Sequence, residues 1–83
     1  MIINRKYLVD NNLIKLKWID LNNSDIIEID KQAFNDLTDL EEINLSNNQI
    51  REIHKETFKG LFNLWKIYLN NNQIKSVSLL INL

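Results

Sequence analysis

Cysteine and proline are absent from this chain, glycine occurs once, at Gly60, and histidine once, at His54. Without cysteine there is no disulfide framework and no thiolate metal site. A single histidine excludes a two-histidine zinc centre. No apolar run approaches the roughly 20 residues that span a bilayer, so membrane insertion is not expected. The start, Met1-Ile2-Ile3-Asn4-Arg5-Lys6, lacks a basic region followed by a long apolar one, the mark of a secretory signal. A cytoplasmic location is expected if the chain is complete, and an extracellular or cell-surface one if it is a fragment of a longer secreted protein. The net charge of -1 gives no general attraction to nucleic acid or to anionic lipid. With almost no glycine or proline, the turns must be made by other residues.

What is present is ordinary in amount and unusual in order. The 83 residues suit one domain, residues 1–83, and an apolar share of 45% is enough to form a core. The apolar residues recur every 24 positions. Leu13 is followed by Leu37 and Leu61, Leu16 by Leu40 and Leu64, Ile19 by Ile43 and Ile67, and Leu21 by Leu45 and Leu69. Ile26, Ile50 and Ile74 form a further column, and Ile29, Ile53 and Val77 another. Phe34 pairs with Phe58, but the next position is Asn82 and the pattern fails there. The repeats are read as about 13–36, 37–60 and 61–83, with residues 1–12 as a degenerate repeat or a cap.

The segments Leu16 to Ile26, Leu40 to Ile50 and Leu64 to Ile74 share the spacing L-x-x-L-x-L-x-x-N-x-L, with isoleucine at several leucine places and Ser24 at the first asparagine place. In this the chain resembles the leucine-rich repeat family. Phe34 with Leu37, and Phe58 with Leu61, are similar to the typical 24-residue subclass, common in animal cell-surface and secreted proteins. The resemblance covers residues 13–77 and speaks to fold far more than to function.

The spacing has a physical reading of its own. Alternation at period two sends Ile19 with Leu21, Ile43 with Leu45 and Ile67 with Leu69 to one side of short strands. Successive strands are expected to lie side by side as a parallel sheet reached by right-handed return paths. The return segments close the core with Ile29, Phe34 and Leu37, or with Ile53, Phe58 and Leu61. One repeat cannot bury its own apolar side, so each copy needs its neighbours. The expected fold is α/β: a curved leucine-rich repeat solenoid, with short parallel strands on the concave face and loops or short helical turns on the convex face.

Asn48 and Asn72 stand where the chain turns inward after a strand, and each amide can satisfy backbone groups of its own and the neighbouring turn. Ser24 holds this place in the first copy with fewer donors, which predicts a looser turn there, one that Ser24→Asn should tighten by about 1 kcal/mol. The column Asn23, Asn47, Asn71 is expected to form a surface ladder of amides. The final stretch, Leu79-Leu80-Ile81-Asn82-Leu83, is apolar and lacks a polar cap, which predicts self-association through the C-terminal edge.

The outer face of the sheet is the expected binding surface. It carries Trp18, Asp20, Glu42, Asn44, Trp65, Lys66 and Tyr68, with Lys17 and Glu41 beside them. Three of the chain's seven aromatic residues fall here, and exposed tryptophan and tyrosine are common interface anchors; shielding neighbouring strands, or packing on a further repeat, is the plainer use of the same rings. Asp20, Glu41 and Glu42 lack an enclosing loop and read as solvated charges, neither a calcium site nor an acid–base pair. His54 has no nucleophile beside it and reads as a surface residue. No enzyme activity and no cofactor are expected. Two glycosylation triplets, Asn22-Asn23-Ser24 and Asn44-Leu45-Ser46, fall on the same face, where a glycan would block it. The resemblance implies a protein-recognition module, receptor-like or engaged in immune recognition, that binds a protein partner through its concave face. The alternative is a structural or assembly segment, packing on further repeats or on its own copy.

Overall fold

The computed structural model describes residues 1–75. The proposed self-association segment 79–83, and the pattern positions Val77 and Asn82, lie outside the described residues.

The elements follow the order β1 (Ile2–Ile3), α1 (Arg5–Asp10), β2 (Trp18–Asp20), β3 (Glu28–Ile29), β4 (Glu42–Asn44) and β5 (Lys66–Tyr68). They form two parallel sheets, neither closed into a barrel. One is three-stranded in the order β2-β4-β5, and the other pairs β1 with β3. In the larger sheet Ile19, Ile43 and Ile67 are in register, so the period of the sequence becomes the spacing of the strands. On either side of this inward row, Trp18, Glu42 and Lys66 form one outward row, and Asp20, Asn44 and Tyr68 form another.

The inward columns build one core. Ile3, Leu8, Ile26, Phe34, Leu40, Ile43, Leu45 and Ile50 are wholly buried. Phe34 and Phe58, 24 residues apart on successive return segments, stack with ring centroids 5.9 Å apart. That offset contact ties one repeat to the next. The return segments over 31–36 and 55–60 are turns, held by bonds such as Ala33 N–H to the Asp30 carbonyl and Thr57 N–H to the His54 carbonyl. Thr57 is buried where the preceding repeat has Ala33, and its hydroxyl has no hydrogen-bond partner among the described residues.

The chain turns without proline and almost without glycine by placing asparagine and aspartate in the left-handed backbone region. Asn23, Asn47 and Asn71 have φ of 55°, 58° and 59°. A second series at the same period holds Asn12 at 59°, Asp36 at 64° and Gly60 at 79°. Asparagine and aspartate tolerate this region better than other side chains because their short polar groups bond locally.

Residues 1–12 lie against the first return segment. β1 pairs with β3, setting Ile3 beside Ile29, and α1 takes the place that turns occupy in the later copies. Asn4 caps the helix by accepting the Tyr7 N–H at 2.8 Å. Arg5 fastens the helix to the next return segment, its guanidinium donating to the Asn35 carbonyl at 2.6 Å. The phase of the pattern shifts here, since Ile3 aligns with Ile29 at a spacing of 26, which is why this segment is off the period in sequence.

Candidate functional site

Strand alternation sets the outward face. Ile19 and Ile43 point into the core, so Trp18, Asp20, Glu42 and Asn44 must point out of it. The structure brings all seven of the outer-face residues onto this one surface or its margin. Trp18 and Trp65 are 69% and 68% exposed, a large apolar area for two side chains that bury readily elsewhere. Tyr68 is 36% exposed.

The β5 end is organised around a cation. Lys66 Nζ stands 4.9 Å from the centroid of the Tyr68 ring and 5.5 Å from that of Trp65, within cation–π range of both. The Tyr68 side chain, and more weakly the carboxylate of Glu42, hold the Lys66 ammonium above its ordinary pKa. On the β2 side, Lys17 pairs with Glu41 at 3.9 Å, an exposed contact of little energetic weight. The Asp20 carboxylate accepts the Asn22 N–H at 3.0 Å and is thereby fixed at the strand end.

Phe62 is a further exposed aromatic ring that the outer-face reading did not include. It is 89% exposed and stands just before β5, outside every inward column of the repeat.

Below the face lies the asparagine turn. Asn48 Nδ2 donates to the carbonyls of Leu21, Leu45 and Ser46 at 3.0, 3.0 and 3.1 Å. Its Oδ1 accepts the Ser24 and Ile26 N–H groups at 2.9 and 3.0 Å. Asn72 repeats the scheme one copy later, donating to Leu45, Leu69 and Asn70 and accepting the Ile50 N–H at 3.0 Å. Each amide therefore joins its own turn to the turn before it. Among the described residues the Ser24 hydroxyl bonds only locally, to the Asn22 carbonyl at 3.3 Å.

At the surface Asn71 Nδ2 donates to Asn47 Oδ1, and Asn47 Nδ2 donates to Asn22 Oδ1, both at 2.8 Å. The amide ladder exists, but its first rung is Asn22 and not Asn23. Of the two glycosylation triplets, the second is built into the turn, with Ser46 buried and its hydroxyl bonded to Asn70 Oδ1 at 2.6 Å.

A leucine rich repeat family model matches residues 14–74, most of the chain. The chain belongs to the leucine-rich repeat family. Members of this family generally act in protein–protein interaction and not as enzymes. No curated protein and no solved structure matched the chain. No helix among the described residues is long and apolar enough to cross a membrane.

Proposed function

We propose that this chain is a protein-recognition module of the typical 24-residue subclass, binding a protein partner through the outward face of β2, β4 and β5. In this reading that face is the concave side of a curved solenoid. The observation that carries it is the exposure of Trp18 and Trp65, with Tyr68, on a face of rigid strands. Aromatic anchors on a preformed surface lose little conformational entropy on binding. Asp20, Glu42, Asn44 and Lys66 supply the polar surround. Beneath it Asn48 and Asn72 tie neighbouring turns together, while Ser24 in the first copy bonds through its hydroxyl within its own turn.

Calorimetry with a purified protein partner tests this. Alanine at Trp65, Tyr68 or Trp18 should weaken binding, by about 2 kcal/mol or more at the strongest anchor. Alanine at Lys31 or Glu56, on the return side, should change it little. The reverse order would move the site to the return side and overturn the proposal.

A second reading, an assembly segment, has its own observation. Ile67, Leu69, Leu64 and Ile74 are only partly buried, and among the described residues no strand pairs with the far edge of β5. Unpaired edges invite another strand, from a second copy or a further repeat. Light scattering over a concentration series tests packing on a second copy: growth of the scattering mass with concentration supports it, and a constant monomer mass contradicts it.

A further inference from the structure

The outward face carries aromatic rings at both ends, and the two ends differ in one respect. At β5 the rings of Trp65 and Tyr68 share a cation from the chain itself, Lys66. At β2 the Trp18 ring is 69% exposed, and among the described residues no cation lies over it. The adjacent lysine, Lys17, is paired with Glu41. Yet the surroundings of Trp18 suit a cation. Glu42 is its register neighbour on β4, roughly 5 Å across the sheet, and Asp20 lies roughly 7 Å along the same strand on the same side. Across the face Asp20, Glu41 and Glu42 outnumber Lys17 and Lys66, leaving one negative charge unmatched.

From this we infer that the Trp18 end receives an arginine side chain of the partner protein, stacked on the indole and bonded to Glu42 or Asp20. The inference rests on the recognition function proposed above and adds the partner's chemistry. Lys66 provides the precedent on the same sheet, because there the face already holds a cation over aromatic rings with Glu42 beside it. Arginine fits better than lysine, since a planar guanidinium can stack on the ring and present paired donors to a carboxylate at once. Glu42, shared between Lys66 and the incoming guanidinium, would order the row as guanidinium, carboxylate, ammonium. Asp20 is held by the Asn22 N–H through Oδ1, which steadies the carboxylate for a further bond.

The test uses the full chain and two blocked peptides, tri-arginine and tri-glutamate, followed by the separate indole N–H signals of Trp18 and Trp65 in NMR spectra. Tri-arginine should shift the Trp18 signal saturably, and tri-glutamate should not. Glu42→Gln and Asp20→Asn should raise the Kd by up to about fivefold, the larger rise marking the carboxylate that bonds the guanidinium, as for an exposed ion pair. Lys66→Met should uncover the second aromatic pair and make the Trp65 signal respond to tri-arginine as well. A wild-type response at Trp65 in place of Trp18, or an equal response to tri-glutamate, would overturn the arginine assignment while keeping the face as a binding surface. Silence of both signals would also overturn it. The recognition reading fails on a different result, the alanine series in which the return side and not this face controls partner affinity.

Discussion

The middle repeat and the one that follows it carry nearly the same inward side chains and bury them very differently. Leu40, Ile43, Leu45 and Ile50 are wholly buried, whereas their counterparts Leu64, Ile67, Leu69 and Ile74 are only partly covered; in the first repeat Ile19, Leu21 and Ile26 are buried and Leu16 alone of these positions is 41% exposed. The side-chain types are not the cause. A residue in this architecture is covered by the segments on either side of it: the middle repeat has a repeat on each side, the first has residues 1–12 on its outer side, and the third has no paired strand beyond it among the described residues. Burial here belongs to position in the stack, and stability should follow it.

The largest test of that contrast is leucine to alanine along one column. Leu45→Ala removes a wholly buried side chain and should cost about 3 kcal/mol, from lost transfer free energy and the cavity left behind. Leu69→Ala, at the partly covered β5, should cost about half as much, since its site can relax toward solvent. Leu16→Ala should cost less than about 1 kcal/mol. Urea midpoints for the three variants check the order, and equal shifts would mean that the copies share their burial more evenly than the exposures indicate.

The asparagine turns carry the same contrast into the polar part of the core. Asn48→Ala would leave the Ser24 and Ile26 N–H groups and the Leu21 carbonyl short of a partner, most of them away from water, and should cost about 2 kcal/mol. Asn72→Ala strands fewer groups, at a site less buried, and should cost about 1 kcal/mol. Thermal unfolding of both variants checks the difference, and indistinguishable melting temperatures would remove position in the stack as its explanation.

Much of this was readable from residues alone, because inward columns and outward rows follow directly from strand alternation and a fixed period. Ile19, Ile43 and Ile67 align as the spacing requires, and the rows flanking them carry Trp18, Glu42 and Lys66, then Asp20, Asn44 and Tyr68. The sequence could not rank the copies, because leucine at 45 and leucine at 69 differ only in what lies beside them. Nor could it place residues 1–12, where a shift in phase hides the match of Ile3 to Ile29. The Lys66 cation between two rings was missed for another reason: side-chain direction within one face is set by neighbours and not by register. The left-handed series Asn12, Asp36, Gly60 was open to a reader of the period, since its only shared property is tolerance of positive φ.

A gain in stability is expected from the return side of the middle repeat. Thr57 buries a hydroxyl that has no partner among the described residues, where the first repeat has Ala33. Thr57→Val keeps the shape and removes the polar atom, so it should stabilise the fold by about 1 kcal/mol. A lower melting temperature would show that the hydroxyl is satisfied in solution.

The smallest effect should come from Ser24→Asn, which copies the turn of the middle repeat into the first. In the middle repeat the asparagine amide is useful in two directions, toward its own turn and toward the turn before it. At position 24 only the first direction is available among the described residues. A new amide there would find the Leu21 and Asn22 carbonyls, the counterparts of Leu45 and Ser46 for Asn48. Its oxygen would find no counterpart of the Ser24 and Ile26 N–H pair, since the segment beside this turn is Met1, whose ammonium already donates to the Asp25 carbonyl and whose carbonyl accepts the Ile27 N–H. The gain of about 1 kcal/mol expected from donor count alone should therefore fall to a few tenths, with the melting temperature nearly unchanged. A gain as large as the loss in Asn48→Ala would mean that the contacts within one turn, and not those between turns, account for the asparagine.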